Sequence, residues 1–432
     1  MFGKHIGQLT NTLSSLRTFV KLVGQFLDQR TEKVLERRAK ELGPFIIALN
    51  ELDSDTFKQP PEVTRRMRKL FAGRMRISKD KDRNGLTLRL KYARDARALK
   101  DAMHEFHTSC QHPDLLLRSA LISLISAVEC YLAQVIYTYY ESIPNAMPEK
   151  DKVFSFSDLK KFESIQDART YLIEKKVTDL MRGSFSDWVA FFKEGPHLSM
   201  SYLEPYMDIL SETCERRNLL VHNAGIANSI YLAKVAPQLR QGIKNGATIC
   251  LTEKYLFERI DYFELHSLLI AAELWKKLKE KDPSRSLGLI GLTYQHLLEG
   301  RWAVGQGIAF FVMNDKQASE ESRLMSTMNY WLCRKRQGDW DSVKQEVATA
   351  DFSAKGLRYQ LALLSLTENS DEFFKVLPRA IQSKDISQKE LSEFPIFEEM
   401  RRDVRMSHFA NAVPKKQKKH RHSNLHPCAM PD

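Results

Sequence analysis

Cysteine is scarce and dispersed in this chain. The six residues, Cys110, Cys130, Cys214, Cys250, Cys333 and Cys428, form no C-x-x-C pair, which argues against both a zinc ribbon and a disulfide framework. Long hydrophobic runs are also missing: no stretch offers the roughly 20 uncharged apolar residues of a membrane span, and the opening MFGKHIGQLTNTLSS lacks the apolar run of a secretory signal. A cytoplasmic protein without a membrane partner is the expectation. The phosphate loop G-x4-G-K-[ST] occurs nowhere, and Gly305-Gln306-Gly307 follows no strand-like segment, so an ATPase is not expected and no cofactor is implied.

Acidic charge is in deficit. The 66 Lys and Arg outnumber 54 Asp and Glu, a formal +12 and a pI near 9.2, which favours polyanionic partners such as RNA, DNA or anionic lipid without choosing among them. A length of 432 residues with 43% hydrophobic content is enough for two or three cores.

From Gly7 to about Leu49 apolar residues recur at helical spacing (Leu13, Leu16, Phe19, Val20, Val23, Leu27), predicting a long helix or a helix pair. QPPEV, Gln59 to Val63, reads as a linker, since proline disfavours helix for itself and its predecessor. The next 35 or so residues are dense in Arg and Lys, and Asn84-Gly85 sits between two alternating runs as a hairpin turn would. Pairing them puts Met75 and Ile77 on one face with Leu86, Leu88 and Leu90. Arg74, Arg76, Arg89 and Lys91 then form a basic face suited to a phosphate backbone, or else a charged edge that discourages strand aggregation.

Leu115 to Tyr140 is apolar on nearly all sides apart from Ser119, Ser123 and Ser126, as expected of a central bundle helix; Arg118 and Glu129 argue against a membrane location. Further helices are predicted over Ile165–Met181, Ser186–Lys193, Pro205–Asn223 and Lys254–Lys279, with a strand-like ATICLT before the last. Beyond Pro283 the pattern becomes helix pairs with a period of roughly 31 to 38 residues, near that of tetratricopeptide-type repeats. The tail from Pro414 is too polar to pack. The chain therefore divides into 1–62 (helical segment and linker), 63–113 (basic hairpin and helix), 114–281 (helical bundle), 282–408 (helix-pair repeats) and 409–432 (basic disordered tail). The fold class is all-α.

The motif that carries chemistry lies in PYMDILSETCERRNLLVHNAG, Pro205 to Gly225, where proline marks a helix start and glycine follows its end. Arg217-Asn218-Leu219-Leu220-Val221-His222 is an R-N-x-x-x-H sequence in the last two turns. At 100° per residue Asn218 and His222 stack on one face, whereas Arg217 is displaced from His222 by about 140° and must reach round with its long side chain. Leu210, Cys214, Arg217 and Val221 form the stripe expected to dock in the bundle. His222 also sits at the negative end of the helix dipole, which favours imidazolium. Arg421 and His426 repeat the R-x4-H spacing in the tail, but without a helical frame or a core to hold them.

These groups suit RNA cleavage by the ribose 2'-hydroxyl: His222 as general acid or base, Arg217 as the clamp on phosphoryl oxygens, Asn218 as an orienting partner. ERRNLLVHNAGIANSIYL, with the preceding DLKKFESIQDARTYLIEKKVTDLMRGSFSDWVAFF and the apolar helix carrying SAVECYL, resembles the RNase-type branches of the HEPN superfamily over roughly Leu115 to Lys279. That resemblance implies a homodimer with two motifs facing across one cleft. It also implies metal-independent endoribonuclease activity of the kind found in phage defence and toxin systems. Arg217 and His222 match the family's catalytic pair, Asn218 its polar neighbour and Glu129, loosely, an acidic position. On this reading RNA is the substrate partner, and the C-terminal repeats take a protein or phage-derived trigger. The alternatives are a catalytically silent HEPN scaffold or nucleotide-binding module, or a repeat-based adaptor. Two weaker clusters, His104, His107, Cys110 and His112, and in the tail His420, His422, His426 and Cys428, fit no common metal-site spacing, and no metal is expected.

Overall fold

The helical periodicity of the first fifty residues resolves into two helices, α1 (Phe2–Arg37) and α2 (Gly43–Glu51), in a computed structural model that describes residues 2–51, 61–80, 85–147, 154–240, 242–352 and 354–410. Phe2, Ile6, Leu9 and Leu13 recur every three or four residues, Val20 follows two turns on, and all are buried, which is what one helix face pressed on a bundle requires. Pro61 is not part of a linker: it opens α3 (Pro61–Leu70), because at the first helical position its missing N–H has no intrahelical partner to lose. The expected boundary at 62/63 therefore falls inside a helix. Gln59 and Pro60 lie outside the described residues.

The hairpin forms as β1 (Met75–Asp80) and β2 (Gly85–Leu90), antiparallel, with Met75 opposite Leu90, Arg76 opposite Arg89 and Ile77 opposite Leu88. Asn84, the first half of the expected turn, lies outside the described residues. Among those residues this is the only sheet, so the fold is all-α with one small β excursion.

The 50-residue helix α4 (Ala93–Ser142) runs straight through the expected boundary at 113/114. Pro113 sits inside it and removes one backbone donor, freeing the carbonyl four residues earlier. That carbonyl belongs to Ser109, which is buried, and it accepts from the Thr31 hydroxyl of α1 at 3.4 Å. The hydroxyl's single proton is shared with the nearer Leu27 carbonyl at 3.0 Å, so the compensation is partial, and the helix continues. Leu121, Leu124, Ile125, Val128, Leu132, Val135 and Ile136 are essentially inaccessible, while Ser119, Ser123 and Ser126 form the expected solvent stripe. By length and composition α4 would suit a bilayer, yet half of its most apolar 18-residue window is buried within the protein.

Among the described residues the first of two compact units, Met1–Glu280, continues with five more α-helices: the short α5 (Phe156–Leu159), then α6 (Ile165–Met181), α7 (Phe185–Glu194), α8 (Met207–His222) and the short α9 (Ser229–Lys234). A sixth, α10 (Glu253–Leu278), closes the bundle. Side chains set the starts of three of them: Ser164 and Thr252 accept from backbone N–H groups of α6 and α10, and Ser184 with Asp187 forms a reciprocal capping box on α7. Helix α4 is central, packing on α1, α6, α8 and α10. ATICLT, read as strand-like, supplies a single bridge, Thr248 opposite Ile226, before Thr252 caps α10.

The second unit, Lys281–Asp432, carries three helix pairs: α11 (Pro283–Leu298) with α12 (Trp302–Met313), α13 (Glu320–Arg336) with α14 (Asp341–Thr349), and α15 (Leu357–Leu366) with α16 (Ser370–Gln382). The first helices begin at 283, 320 and 357, equal steps of 37 residues. Three short helices, α17 (Gln388–Glu393), α18 (Glu398–Arg401) and α19 (Met406–Ala410), end the described chain. Trp331, Leu332, Leu361, Phe373, Leu377 and Phe397 form its continuous core. Gly305 lies within α12, where an added Cβ would stand 3.2 Å from Leu297 and 3.4 Å from the Cys333 sulfur: it is a helix-packing glycine. The tail residues Arg421, His426, His420, His422 and Cys428 lie outside the described residues.

Candidate functional site

Helix α8 presents the R-N-x-x-x-H motif, and its end is built residue by residue. Asn223 and Gly225 both donate backbone N–H bonds to the Leu219 carbonyl at 2.9 Å, and the Asn223 side chain donates to the Ile226 carbonyl at 2.6 Å. Ala224 and Gly225 take positive φ values of 51° and 76°, which reverses the chain. Arg118 of α4 seals the turn, donating to the Ala224 carbonyl at 3.2 Å while pairing with Asp114 at 2.6 Å. A Cβ on Gly225 would meet the Arg118 guanidinium at 3.0 Å, so glycine is needed here for both conformation and space.

The docking face of α8 differs from the expected stripe. Leu210, Cys214 and Leu219 are buried with Glu212, Thr213 and Arg216, whereas Val221 is 48% exposed. The fully buried arginine is therefore Arg216, the neighbour of the motif arginine. Arg216 pairs with Glu212 one turn earlier; the Tyr231 hydroxyl donates to the same carboxylate at 3.1 Å and the Tyr255 hydroxyl at 2.8 Å. The guanidinium groups of Arg216 and Arg259 each lie 4.4 Å from the Tyr255 ring centroid. Sequence periodicity missed this cluster because it assigns charged residues to the solvent side, and two adjacent arginines look alike until the helix is rotated into place. Burial beside Glu212 pushes the Tyr231 hydroxyl up to about 12, and burial, opposed by Arg217 and reinforced by Glu129, Glu215 and Glu212, raises the Cys214 thiol to about 12, so that thiol carries no nucleophilic charge at neutral pH.

Arg217 lies half-buried beside this cluster and forms an ion pair with Glu129 of α4; the two side chains are 21% and 29% exposed. Its Nε is buried with no hydrogen-bond partner among the described residues. His222 is exposed at the end of α8, and Asn218, which stands between the two in sequence, is half-buried. Among the described residues neither His222 nor Asn218 makes a side-chain hydrogen bond. Arg217, Asn218, His222 and Glu129 thus belong to two packed helices, α8 and α4, with guanidinium and carboxylate joined and imidazole free toward solvent.

The hairpin residues stand apart from this site in the chain. Arg76 and Arg89 are exposed and directly opposite one another; Lys91 is exposed, and Arg74 pairs with Asp95 at 2.6 Å. The residues His104, His107, Cys110 and His112 lie along α4, and among the described residues no group of three or more His, Cys, Asp or Glu is disposed to hold a metal ion. No family of known proteins, no curated protein and no solved structure matches this chain.

Proposed function

We propose that the protein is a metal-independent endoribonuclease whose chemistry resides in Arg217 and His222. The 2'-hydroxyl of the substrate ribose attacks the adjacent phosphorus; His222 takes up its proton, the bond to the 5'-oxygen breaks, and that oxygen leaves with a proton from solvent or the partner imidazole. Arg217 balances the charge on the phosphoryl oxygens. The products are a 2',3'-cyclic phosphate and a free 5'-hydroxyl, and DNA, lacking the nucleophile, is not cut.

The observation that carries this reading is that the last two turns of α8 bear both an unengaged, exposed His222 and a half-buried Arg217 whose Nε has no partner among the described residues. Glu129 aims the guanidinium and makes it a fixed cation rather than a mobile one. By the HEPN resemblance the working form is a cytoplasmic homodimer with two such sites across one cleft, and the helix pairs beyond Lys281 take a protein or phage-derived trigger, in toxin action or anti-phage defence.

One observation favours a second reading. The Arg217–Glu129 pair is complete without a ligand, as a silent HEPN scaffold or nucleotide-binding module would have it. Incubation with labelled RNA in EDTA, beside Arg217→Ala and His222→Ala, separates the two: the enzyme loses cleavage in both variants and leaves cyclic phosphate ends, whereas the scaffold leaves RNA intact throughout.

A further inference from the structure

Residues 61–100 hold fourteen Lys and Arg against four Asp and Glu, a formal +10 of the chain's +12. This forty-residue stretch spans α3, β1, β2 and the first turns of α4; Lys81, Asp82 and Arg83 within it lie outside the described residues.

Pairing sharpens the imbalance. Arg76 and Arg89 occupy directly opposed positions in the ladder, and the Lys91 N–H donates to the Arg74 carbonyl at 2.8 Å, so the basic pair Arg74/Lys91 follows immediately. Like charges facing one another across two strands destabilise the pair, and an isolated two-stranded hairpin has little stability to spare. Arg76 and Arg89 are exposed and have no acidic partner among the described residues, while Asp95 answers Arg74 and Arg94. The opposite face explains why the hairpin nonetheless holds: Met75, Ile77, Leu88 and Leu90 are half-buried, with β2 packed on α2 and α4.

We propose that this face is a docking surface for the phosphodiester backbone of single-stranded nucleic acid, separate from the Arg217–His222 site. Successive basic pairs are two residues apart along the strands, a step on the order of 7 Å, the order of the spacing between neighbouring phosphates. Tyr92 is half exposed, with the Arg74 guanidinium 5.5 Å and the Lys91 ammonium 5.6 Å from its ring centroid, which sets an aromatic surface for a base among the cations. The solvent face of the described strands carries Arg76, Ser78, Thr87 and Arg89, with no apolar group to enter a bilayer, and this favours nucleic acid over an anionic membrane.

The inference does not require cleavage. Its test uses the full chain in the His222→Ala background, so that substrate survives whether or not the protein is a nuclease. The probe is fluorescein-labelled single-stranded RNA of about 16 nucleotides, read by anisotropy over a salt series. Arg76→Ala/Arg89→Ala is expected to weaken binding about tenfold and to flatten the slope of log affinity against log salt by about 1.4, the contribution of two phosphate contacts. DNA of the same sequence is expected to bind alike, because phosphates carry the contact. Removing opposed like charges leaves the thermal midpoint unchanged or raised, so weaker binding cannot be ascribed to unfolding. Lys316→Ala/Lys384→Ala, which removes the same charge from two exposed positions elsewhere, is expected to bind as the background does. Three results would overturn the proposal: undiminished binding by the hairpin variant, an equal loss in the control pair, or binding of phosphatidylserine vesicles in place of RNA.

Discussion

Arg216 and Arg217 are adjacent in sequence, identical in type and different in setting. Arg216 is 2% exposed and locked to Glu212, so removing it strands a buried carboxylate; Arg216→Ala is expected to cost about 3 to 5 kcal/mol in urea unfolding. Arg217 is half-buried at the edge of the bundle, and Arg217→Ala is expected to cost less than about 1 kcal/mol while abolishing cleavage. Equal destabilisation by the two substitutions would remove the distinction. Glu129→Gln, which keeps the shape but withdraws the charge, is expected to lower kcat about tenfold with KM little changed, the mark of a group that positions another in the transition state. The sequence made Arg217, Asn218 and His222 visible because a motif is read from spacing. It hid Arg216, Tyr231 and Tyr255, whose importance depends on three helices converging on one carboxylate.

Single elements show why local signals were read correctly in some places and misread in others. Ile165–Met181 was legible because serine capping and apolar spacing agree, and the hairpin was legible because two alternating runs flank a turn dipeptide. Pro61 reads from sequence as part of a linker and a boundary is expected at 113/114, yet Pro61 opens α3 and Pro113 lies inside α4. Thr31→Val keeps the shape of the Thr31 side chain and removes the hydroxyl proton that the Leu27 carbonyl at 3.0 Å and the Ser109 carbonyl at 3.4 Å share; the expected cost is about 1 kcal/mol, measured by chemical unfolding. At the end of α8, Gly225→Ala meets both a φ of 76° and the Arg118 guanidinium 3.0 Å away. It is expected to destabilise by about 1 to 2 kcal/mol and to reduce cleavage, because the reversal it disturbs fixes the last turn that bears His222. A variant as stable and as active as the parent would show the turn to be dispensable.

At the scale of the whole chain the division into Met1–Glu280 and Lys281–Asp432 gives each unit its own core, and the 37-residue step of the second was visible in the sequence only as an approximate echo. The first unit also carries a built-in pH dependence. His266 of α10 is buried against Tyr206, with Nδ1 2.7 Å from the Tyr262 carbonyl, and burial holds its pKa below the ordinary 6.5. Because the folded value lies below the unfolded one, the native state has its full stability above about pH 6.5 and loses it as pH falls toward the folded value, where only the unfolded chain takes up the proton readily. The thermal midpoint should therefore drop across mildly acidic pH, and His266→Asn should flatten that drop; an unchanged profile in the variant would assign the acid sensitivity to other groups.

The account turns on whether an imidazole and a guanidinium at the end of α8 cleave a phosphodiester. End-group analysis of labelled RNA incubated in EDTA with the wild-type chain, Arg217→Ala and His222→Ala tests this most directly. The expected result is 2',3'-cyclic phosphate ends from the wild type alone, with all three proteins folded to the same degree. Cleavage persisting in either variant, or RNA left whole by the wild type in the presence of the partner that releases it, would contradict the assignment.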